Sequence, residues 1–277
     1  MLLFVGLATA AEHKNILLSI DEVKARIEQG NVTLVDSRSL VEFKKGHIKG
    51  AVSLPTDETF TKTGRSDLVA TITEIRDLMS AAGITSESKV IIYGDGSFLD
   101  MSRLFWVFET FGVKDVAIMN GFFGEWVKKN HSTQKGLQAV VASDVYPALQ
   151  EEKLATMLMV FASMKNNNES IIDARAEVEY QGKQSQTSVY GHIPSAISIP
   201  WYTNLTADYS KFKSIAELKE IYKAVDMKKM NTVYCNKGKE SATNYVALRM
   251  LGANVRAYDG SWYEWSLQAG LPISKAN

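Results

Sequence analysis

The apolar positions of this chain fall into two kinds of segment, short continuous runs and longer stretches with helical spacing. The runs at residues 32–35, 90–93 and 116–119 each end at a polar residue or a glycine, as buried parallel strands do. The stretches at 72–82 and 102–111 have helical spacing and stop at a glycine. Strands that alternate with helices predict an α/β fold, in which helices cover both faces of a parallel sheet.

The second half of the chain shows the same succession of elements. We predict strands at 171–172, 232–234 and 255–258, and a helix at 241–251 that stops before Gly252. The two halves are therefore expected to have the same fold.

Sequence motifs also recur in the same order in both halves. The first copy contains VDSRSLVEF, GHIKGAVSLP and NGFFGEW, at residues 35–43, 46–55 and 120–126. The second copy contains IDARAEVEY, GHIPSAISIP and DGSWYEW, at residues 172–180, 191–200 and 259–265. Because the matches keep their order and nearly keep their spacing, they indicate a duplicated domain.

The join between the two copies is predicted in the polar stretch at residues 132–143. We therefore expect an N-terminal domain at 12–135 and a C-terminal domain at 136–277. The second copy has additional polar residues near 182–188, and these are predicted to form a surface loop.

The first eleven residues, MLLFVGLATAA, have features of an export signal. An apolar run at 2–7 precedes small residues that fit the small-x-small pattern of a secretory cleavage site. We predict a signal peptide over residues 1–11, a mature chain that begins near Ala11 or Glu12, and a periplasmic or secreted protein. The alternatives are a buried or frayed N-terminal segment and a cytoplasmic protein.

Composition and charge narrow the range of functions. Lys plus Arg and Asp plus Glu both number 31, so the formal net charge is zero and a polyanion-binding surface is not indicated. No segment reaches the roughly 18 apolar residues that a membrane helix needs. The one cysteine, Cys235, excludes an internal disulfide, a thiolate zinc cluster and a CxxC redox pair. We therefore expect neither a nucleic acid nor a membrane as a partner.

Cys235 lies where a predicted strand ends and a predicted helix begins. It opens the segment CNKGKES at residues 235–241, which we call the Cys235 loop. Ligands of parallel sheets collect at the carboxyl ends of the strands. The backbone N–H groups of such a loop converge on one centre, and the dipole of the following helix adds positive charge there. We predict that this N–H cradle, formed by residues 236–241, stabilises the Cys235 thiolate.

The side chains of the Cys235 loop suggest further roles. Gly238 permits the tight, left-handed turn that the cradle needs. Lys237 and Lys239 are expected to lower the pKa of Cys235, and Glu240 is expected to oppose them. The alternative is that Cys235 is a small buried apolar residue, as free cysteines often are, but the charged residues that flank it argue against this interpretation.

Together, these motifs resemble those of tandem-domain rhodaneses, which are sulfurtransferases. The resemblance rests on the D-x-R and G-H-I segments of both halves, on the Cys235 loop and on DGSWYEW, and it covers the chain from Ile16 onward. It implies two rhodanese-like domains, each a parallel sheet flanked by helices, with a catalytic C-terminal domain and an inactive N-terminal domain. In agreement with this division, the loop after Tyr93 reads GDG and has no thiol.

The resemblance also suggests a sulfur donor. Thiosulfate-using members commonly carry a lysine two residues after the cysteine, where this chain has Lys237, whereas mercaptopyruvate-using members commonly carry a serine. One departure is Glu179, which stands where vertebrate-type members have a second arginine. Arg175 has a counterpart, Arg38, in the half without a thiol, which favours a structural role over a substrate contact.

The predicted reaction begins when Cys235 attacks the outer sulfur of thiosulfate. Sulfite leaves, and a persulfide remains on Cys235 until a thiophilic acceptor, such as cyanide or a thiol, removes the sulfur. The expected site consists of catalytic Cys235, of Lys237, Arg175 and Lys239 as substrate-binding residues, and of Asn236, Gly238, Glu240 and Ser241 as the persulfide cradle. No metal or organic cofactor is expected, and the protein is predicted to act as a monomer.

The sequence leaves three alternatives to this reaction. A 3-mercaptopyruvate sulfurtransferase is the nearest, and a non-catalytic sulfane-binding module would form a persulfide without turnover. A cysteine phosphatase uses a related loop with the pattern C-x5-R, but the residue at that arginine position is Ser241. The last alternative is therefore disfavoured.

Overall fold

The structure is a computed structural model that describes residues 15–275 of the 277-residue chain. The predicted signal peptide at 1–11 lies outside the described residues, so export of the protein stays a prediction. Within the described range, none of the helices combines the length and the apolar character that a membrane-spanning segment requires.

The first half is built on a five-stranded parallel sheet. Its strands are β1 (Leu17–Leu18), β2 (Thr33–Asp36), β3 (His47–Ile48), β4 (Val52–Ser53), β5 (Lys89–Tyr93), β6 (Asp115–Met119) and β7 (Thr133–Gln134). Five of them form the sheet, in the order β1-β6-β5-β2-β4, and all neighbours are parallel. The other two, β3 and β7, form a separate antiparallel ribbon.

The second half repeats this arrangement on the far side of the predicted join. Its strands are β8 (Leu154–Ala155), β9 (Glu169–Asp173), β10 (Ile197–Ser198), β11 (Met230–Tyr234) and β12 (Asn254–Tyr258). They form a parallel sheet in the order β10-β9-β11-β12-β8. Each strand therefore has the same neighbours as its counterpart in the first sheet, and β5 and β11 are the two central strands.

Helices flank both sheets. Those of the first half are α1 (Ile20–Gln29), α2 (Leu40–Lys45), α3 (Ile72–Ala81), α4 (Phe98–Thr110) and α5 (Phe123–Lys128). Those of the second half are α6 (Met157–Ser163), α7 (Glu177–Tyr180), α8 (Ile215–Ile221), α9 (Ser241–Met250) and α10 (Ser261–Leu267). The prediction of two α/β domains with helix-flanked parallel sheets is confirmed.

The two halves share one apolar core, and α4 and α9 lie at its centre. These helices follow the two central strands and pack against each other, with the rings of Phe105 and Tyr245 6.4 Å apart. At their far ends, Glu109 forms an ion pair with Arg249 at 2.9 Å and accepts a hydrogen bond from Tyr245. Because α9 also begins at the Cys235 loop, this packing turns the loop towards the first half.

Candidate active site

Cys235 is the first residue after β11, at the carboxyl end of the central strand of the second sheet. The loop that follows it reverses sharply into α9, and Gly238 makes the turn with a φ of 76°. This left-handed conformation favours glycine, and a Cβ atom at Gly238 would also collide with Asp259. The turn predicted at Gly238 is therefore confirmed.

Hydrogen-bond donors converge on the sulfur of Cys235. The N–H of Gly238 donates to Sγ at 3.1 Å, and hydrogen bonds from the backbone of Lys237 and from Ser241 favour the thiolate form. The backbone N–H of Cys235 donates to the hydroxyl of Ser261 at 3.1 Å, and that hydroxyl lies 4.0 Å from Sγ. An anionic sulfur is stabilised by such an arrangement of N–H groups.

Burial nevertheless dominates the ionisation of Cys235. The side chain is fully buried, and burial together with the nearby carboxylate of Glu240 raises the pKa of Cys235 to about 11, in spite of the hydrogen bonds. A buried thiol loses the hydration that its charged form requires. The hydrogen bonds of the loop lower this pKa as expected, but burial outweighs them, so the expected net lowering by the loop and its lysines is wrong. The opposing effect of Glu240 is confirmed.

The positions of the two lysines explain this result. Lys237 is exposed, and its Nζ lies over the ring of Tyr263, 4.8 Å from the ring centroid. The Nζ of Lys239 forms an ion pair with Asp100 of the first half at 2.6 Å. Both ammonium groups thus have partners away from the sulfur.

Two carboxylates, of Glu240 and Glu179, contact Asn236, the residue that follows Cys235. The Oε2 atom of Glu240 accepts hydrogen bonds from the side-chain amide of Asn236 at 3.2 Å and from its backbone N–H at 3.5 Å. The same amide donates to Oε2 of Glu179 at 3.4 Å. Burial and the charge of Glu179 raise the pKa of Glu240, while hydrogen bonds with Asn236 and Cys235 partly offset this rise.

Arg175 lies in the interior of the second half, where it braces the backbone. Its guanidinium forms an ion pair with Asp173 at 2.6 Å, donates to the carbonyl of Gly191 at 2.8 Å and stacks over Trp262. Among residues 15–275, however, its Nη1 atom has no hydrogen-bond partner although it is fully buried. Arg175 therefore has a structural role, and one of its buried donors has no partner among the described residues.

The first half has the same brace but no nucleophile. Arg38 and Asp36 form an ion pair at 2.6 Å, equivalent to that of Arg175. The counterpart of Cys235 is Gly94, and a Cβ atom at Gly94 would collide with the hydroxyl of Ser37. Since the brace recurs without the thiol, its recurrence supports the structural interpretation of the arginine.

A cavity of about 720 Å³ lies at the carboxyl edge of the first sheet. Arg38, Asp95 and Asp100 line it together with Lys239, which enters from the Cys235 loop. Over the described range 15–275, no group of three or more His, Cys, Asp or Glu side chains is placed to hold a metal ion. We therefore assign no metal ligands.

Sequence reasoning missed several residues that touch the Cys235 loop, and two of them contact its backbone through their side chains. One of them is Ser261. In the alignment of the two repeats its position corresponds to Phe122, so a hydroxyl is present only in the half that has the thiol, and this difference could have identified it. The other is Arg103 of α4, whose Nη1 donates to the carbonyl of Gly238 at 3.0 Å and pairs with Asp259. A lone arginine among the apolar residues of a buried helix was the signal there.

Known proteins share both the sequence pattern and the fold. The rhodanese-like domain family matches the chain twice, at residues 19–129 and 160–268. The sulfur carrier protein TtuD of Thermus thermophilus is 28% identical, over 95% of this chain and 98% of its own. The putative thiosulfate sulfurtransferase SseA of Mycobacterium bovis is 30% identical, over 96% of this chain and 92% of its own. The crystal structure of SseA from Escherichia coli, a 3-mercaptopyruvate sulfotransferase, has a TM-score of 0.79 at 24% identity and covers 90% of this chain and 99% of its own, which is a likeness of fold.

Proposed function

The chain belongs to the rhodanese-like domain family and is a sulfurtransferase, and we propose that Cys235 carries the sulfur and that thiosulfate is the donor. The observation that carries this proposal is the contact between the Gly238 N–H and Sγ at 3.1 Å, inside a loop whose N–H groups converge on the sulfur. Fixed N–H dipoles stabilise a developing anion without having to reorganise. A persulfide on Cys235 carries such a charge.

The proposed reaction has two steps. The Cys235 thiolate attacks the outer sulfur of thiosulfate, the sulfur–sulfur bond of thiosulfate breaks, and sulfite leaves with the electron pair. A thiophilic acceptor, such as cyanide or a thiol, then takes the outer sulfur from the persulfide. Cys235 is the leaving group of this second step, so the enzyme returns to its starting state.

The choice of thiosulfate rests on Lys237. This lysine makes no salt bridge with any residue in the range 15–275, and it lies two residues from the nucleophile. Its exposed ammonium contacts the ring of Tyr263 but pairs with no carboxylate, so we propose that it turns to a doubly charged donor, or to the sulfite that leaves from it. The relative from Mycobacterium bovis, named a putative thiosulfate sulfurtransferase, supports the same choice.

The second candidate donor is 3-mercaptopyruvate, and Arg175 is the observation that favours it. The unpaired Nη1 of Arg175 is a buried guanidinium donor, and guanidinium groups bind carboxylates well. Glu179 also weakens the case for thiosulfate, because it occupies the position at which vertebrate-type members have a second arginine. An arginine there would help to bind a dianion, and a glutamate does not. Kinetics with both donors therefore decide between them.

Replacing Lys237 with serine is expected to lower kcat/KM for thiosulfate at least tenfold and to affect 3-mercaptopyruvate much less. A charge-assisted hydrogen bond contributes about 1.5–3 kcal/mol, which corresponds to a rate loss of roughly 10- to 150-fold if the bond is made in the transition state. Steady-state kinetics with each donor, with cyanide as the common acceptor, measure both values.

Lys239→Ser is the matched control, because that ammonium is paired with Asp100 and not with the donor. It should change kcat/KM for the two donors by similar factors. Equal losses for both donors in Lys237→Ser, or no loss at all, would remove the support that Lys237 gives to thiosulfate.

A further inference from the structure

The ring of Tyr263 lies beside the Cys235 loop, where the ammonium of Lys237 contacts it. Tyr263 is the third residue of α10, and its backbone N–H donates to the carbonyl of Asn236 at 3.1 Å. Its side chain is half-buried. The backbone contact ties the ring to the residue that follows the nucleophile, so a group that lies on the ring is held close to the loop.

Two cations lie near this ring, and their charges are balanced differently. The guanidinium carbon of Arg65, from the first half, is 5.4 Å from the ring centroid. Arg65 is engaged by Asp67 at 2.6 Å and by Glu264 at 3.1 Å. The ammonium of Lys237 is 4.8 Å from the same centroid and forms no salt bridge within residues 15–275. The charge of the lysine is therefore not balanced by a carboxylate, whereas that of the arginine is.

The face of an aromatic ring attracts a cation without occupying all of its hydrogen-bond donors. The quadrupole of the ring places negative charge on its face. An ammonium carries three N–H donors, and those that point away from the ring stay free to bind an anion. A flexible lysine that is held in this way loses less conformational entropy when it binds a ligand. A carboxylate at the same place would instead neutralise the charge of the lysine.

The first half has neither the ring nor the lysine. In the alignment of the two repeats, Tyr263 corresponds to Gly124 of α5, and the loop after β5 reads GDG. Both halves nevertheless form a short helix at this place in the fold. The helix therefore needs no large side chain at this position, and the ring of Tyr263 is not explained by the fold.

We propose that Tyr263 is a positioning residue for the sulfur donor. Its ring holds the Lys237 ammonium beside the Cys235 loop, where the free N–H groups turn to the sulfite that leaves, and Arg65 of the first half packs on the ring. This inference rests on the proposed function, because it requires that Lys237 binds an anionic donor. Since Tyr263 acts only through Lys237, its effect on the reaction should disappear when the lysine is replaced.

Tyr263→Leu is the test variant, because leucine keeps an apolar side chain but has no ring face. We expect it to lower kcat/KM for thiosulfate roughly two- to fivefold, the size of an exposed contact between a cation and an aromatic ring. Tyr263→Phe is the matched control, since it keeps the ring and removes only the hydroxyl, and it should retain the wild-type value. In both variants kcat/KM for cyanide should change much less, because hydrogen cyanide is neutral at neutral pH. A general defect of the fold would lower kcat/KM for cyanide as well.

A double-mutant cycle shows whether Tyr263 acts through Lys237. Adding Tyr263→Leu to Lys237→Ser should cause no further loss of kcat/KM for thiosulfate. Equal losses in the presence and in the absence of Lys237 would indicate a structural role of the ring and would overturn the inference. An unchanged value in Tyr263→Leu would overturn it as well, and so would a higher value, since the ring would then hold the ammonium away from the donor.

A second measurement needs no substitution at Tyr263. After reductive methylation of the lysines with isotope-labelled formaldehyde, the NMR signal of the Lys237 methyl groups is identified by its loss in Lys237→Ser. The ring should shift this signal upfield, and the shift should persist when sulfite is added. A signal without this shift would overturn the inference even if Tyr263→Leu fails to fold. Full thiosulfate activity in Lys237→Ser would instead contradict the proposed choice of donor, and with it this inference.

Discussion

Replacing Cys235 with serine is expected to abolish sulfur transfer and to leave the fold intact. Serine fits the same buried position and can accept the hydrogen bond of Gly238 that now reaches Sγ. Its hydroxyl is a far weaker nucleophile than a thiolate, and it forms no persulfide. Thiocyanate formation from thiosulfate and cyanide measures the loss, and circular dichroism reports the fold.

Ser261→Ala is a useful control for this experiment, because it alters the same site and keeps the nucleophile. The buried N–H of Cys235 would lose its acceptor, which costs about 1–3 kcal/mol of stability, but the persulfide should still form. More than a few per cent of residual activity in Cys235→Ser would contradict the assignment of Cys235 as the sulfur carrier.

Much of the fold could be predicted from the sequence, because each buried strand is a short apolar run with a polar or glycine boundary. The central strands β5 and β11 differ from their predicted ranges by only one or two residues at their N-terminal ends. Helix α4 begins four residues before its predicted start, because Phe98 and Met101 are buried although Asp100 interrupts the apolar pattern. The ribbon of β3 and β7 was missed, since strands of two residues have no periodicity to detect.

The backbone of the site was predictable, but the directions of its side chains were not. A strand that ends just before Cys235, and a glycine three residues after the cysteine, are sufficient to predict the N–H cradle. The partner of Lys239, in contrast, is Asp100, which is distant in the sequence and belongs to the other half. Glu179 likewise meets the loop only through the fold. Local spacing contains no information on such contacts, which is why the acidic side of the site was not foreseen.

Arg103 shows what the half without a nucleophile contributes to the site. Its guanidinium is fully buried between the rings of Phe60 and Trp106, each centred 4.5 Å away, and it pairs with Asp259. It also donates to the carbonyl of Gly238 at 3.0 Å, the residue whose N–H faces the sulfur. The first half thus fixes the backbone turn on which the N–H cradle depends.

Arg103→Met is therefore expected to lower both stability and activity. Removal of one partner from a buried ion pair costs about 3–5 kcal/mol, because the other charge remains buried. Loss of the hydrogen bond to Gly238 should also lower kcat/KM by up to about 100-fold, the penalty for a reacting group displaced by roughly 1 Å. Denaturant unfolding and steady-state kinetics measure the two effects.

Two further variants distinguish the effect of Arg103 on the position of the Cys235 loop from its effect on the stability of the fold. Arg65→Met removes another arginine that links the halves, through Glu264 at 3.1 Å, but this pair is partly exposed and should contribute no more than about 1 kcal/mol. Adding Asp259→Asn to Arg103→Met removes the unpaired buried charge, so stability should largely recover. Activity should stay low in this double variant, because the carbonyl of Gly238 still lacks its donor. Recovery of activity together with stability would mean that Arg103 supports the fold and does not position the Cys235 loop.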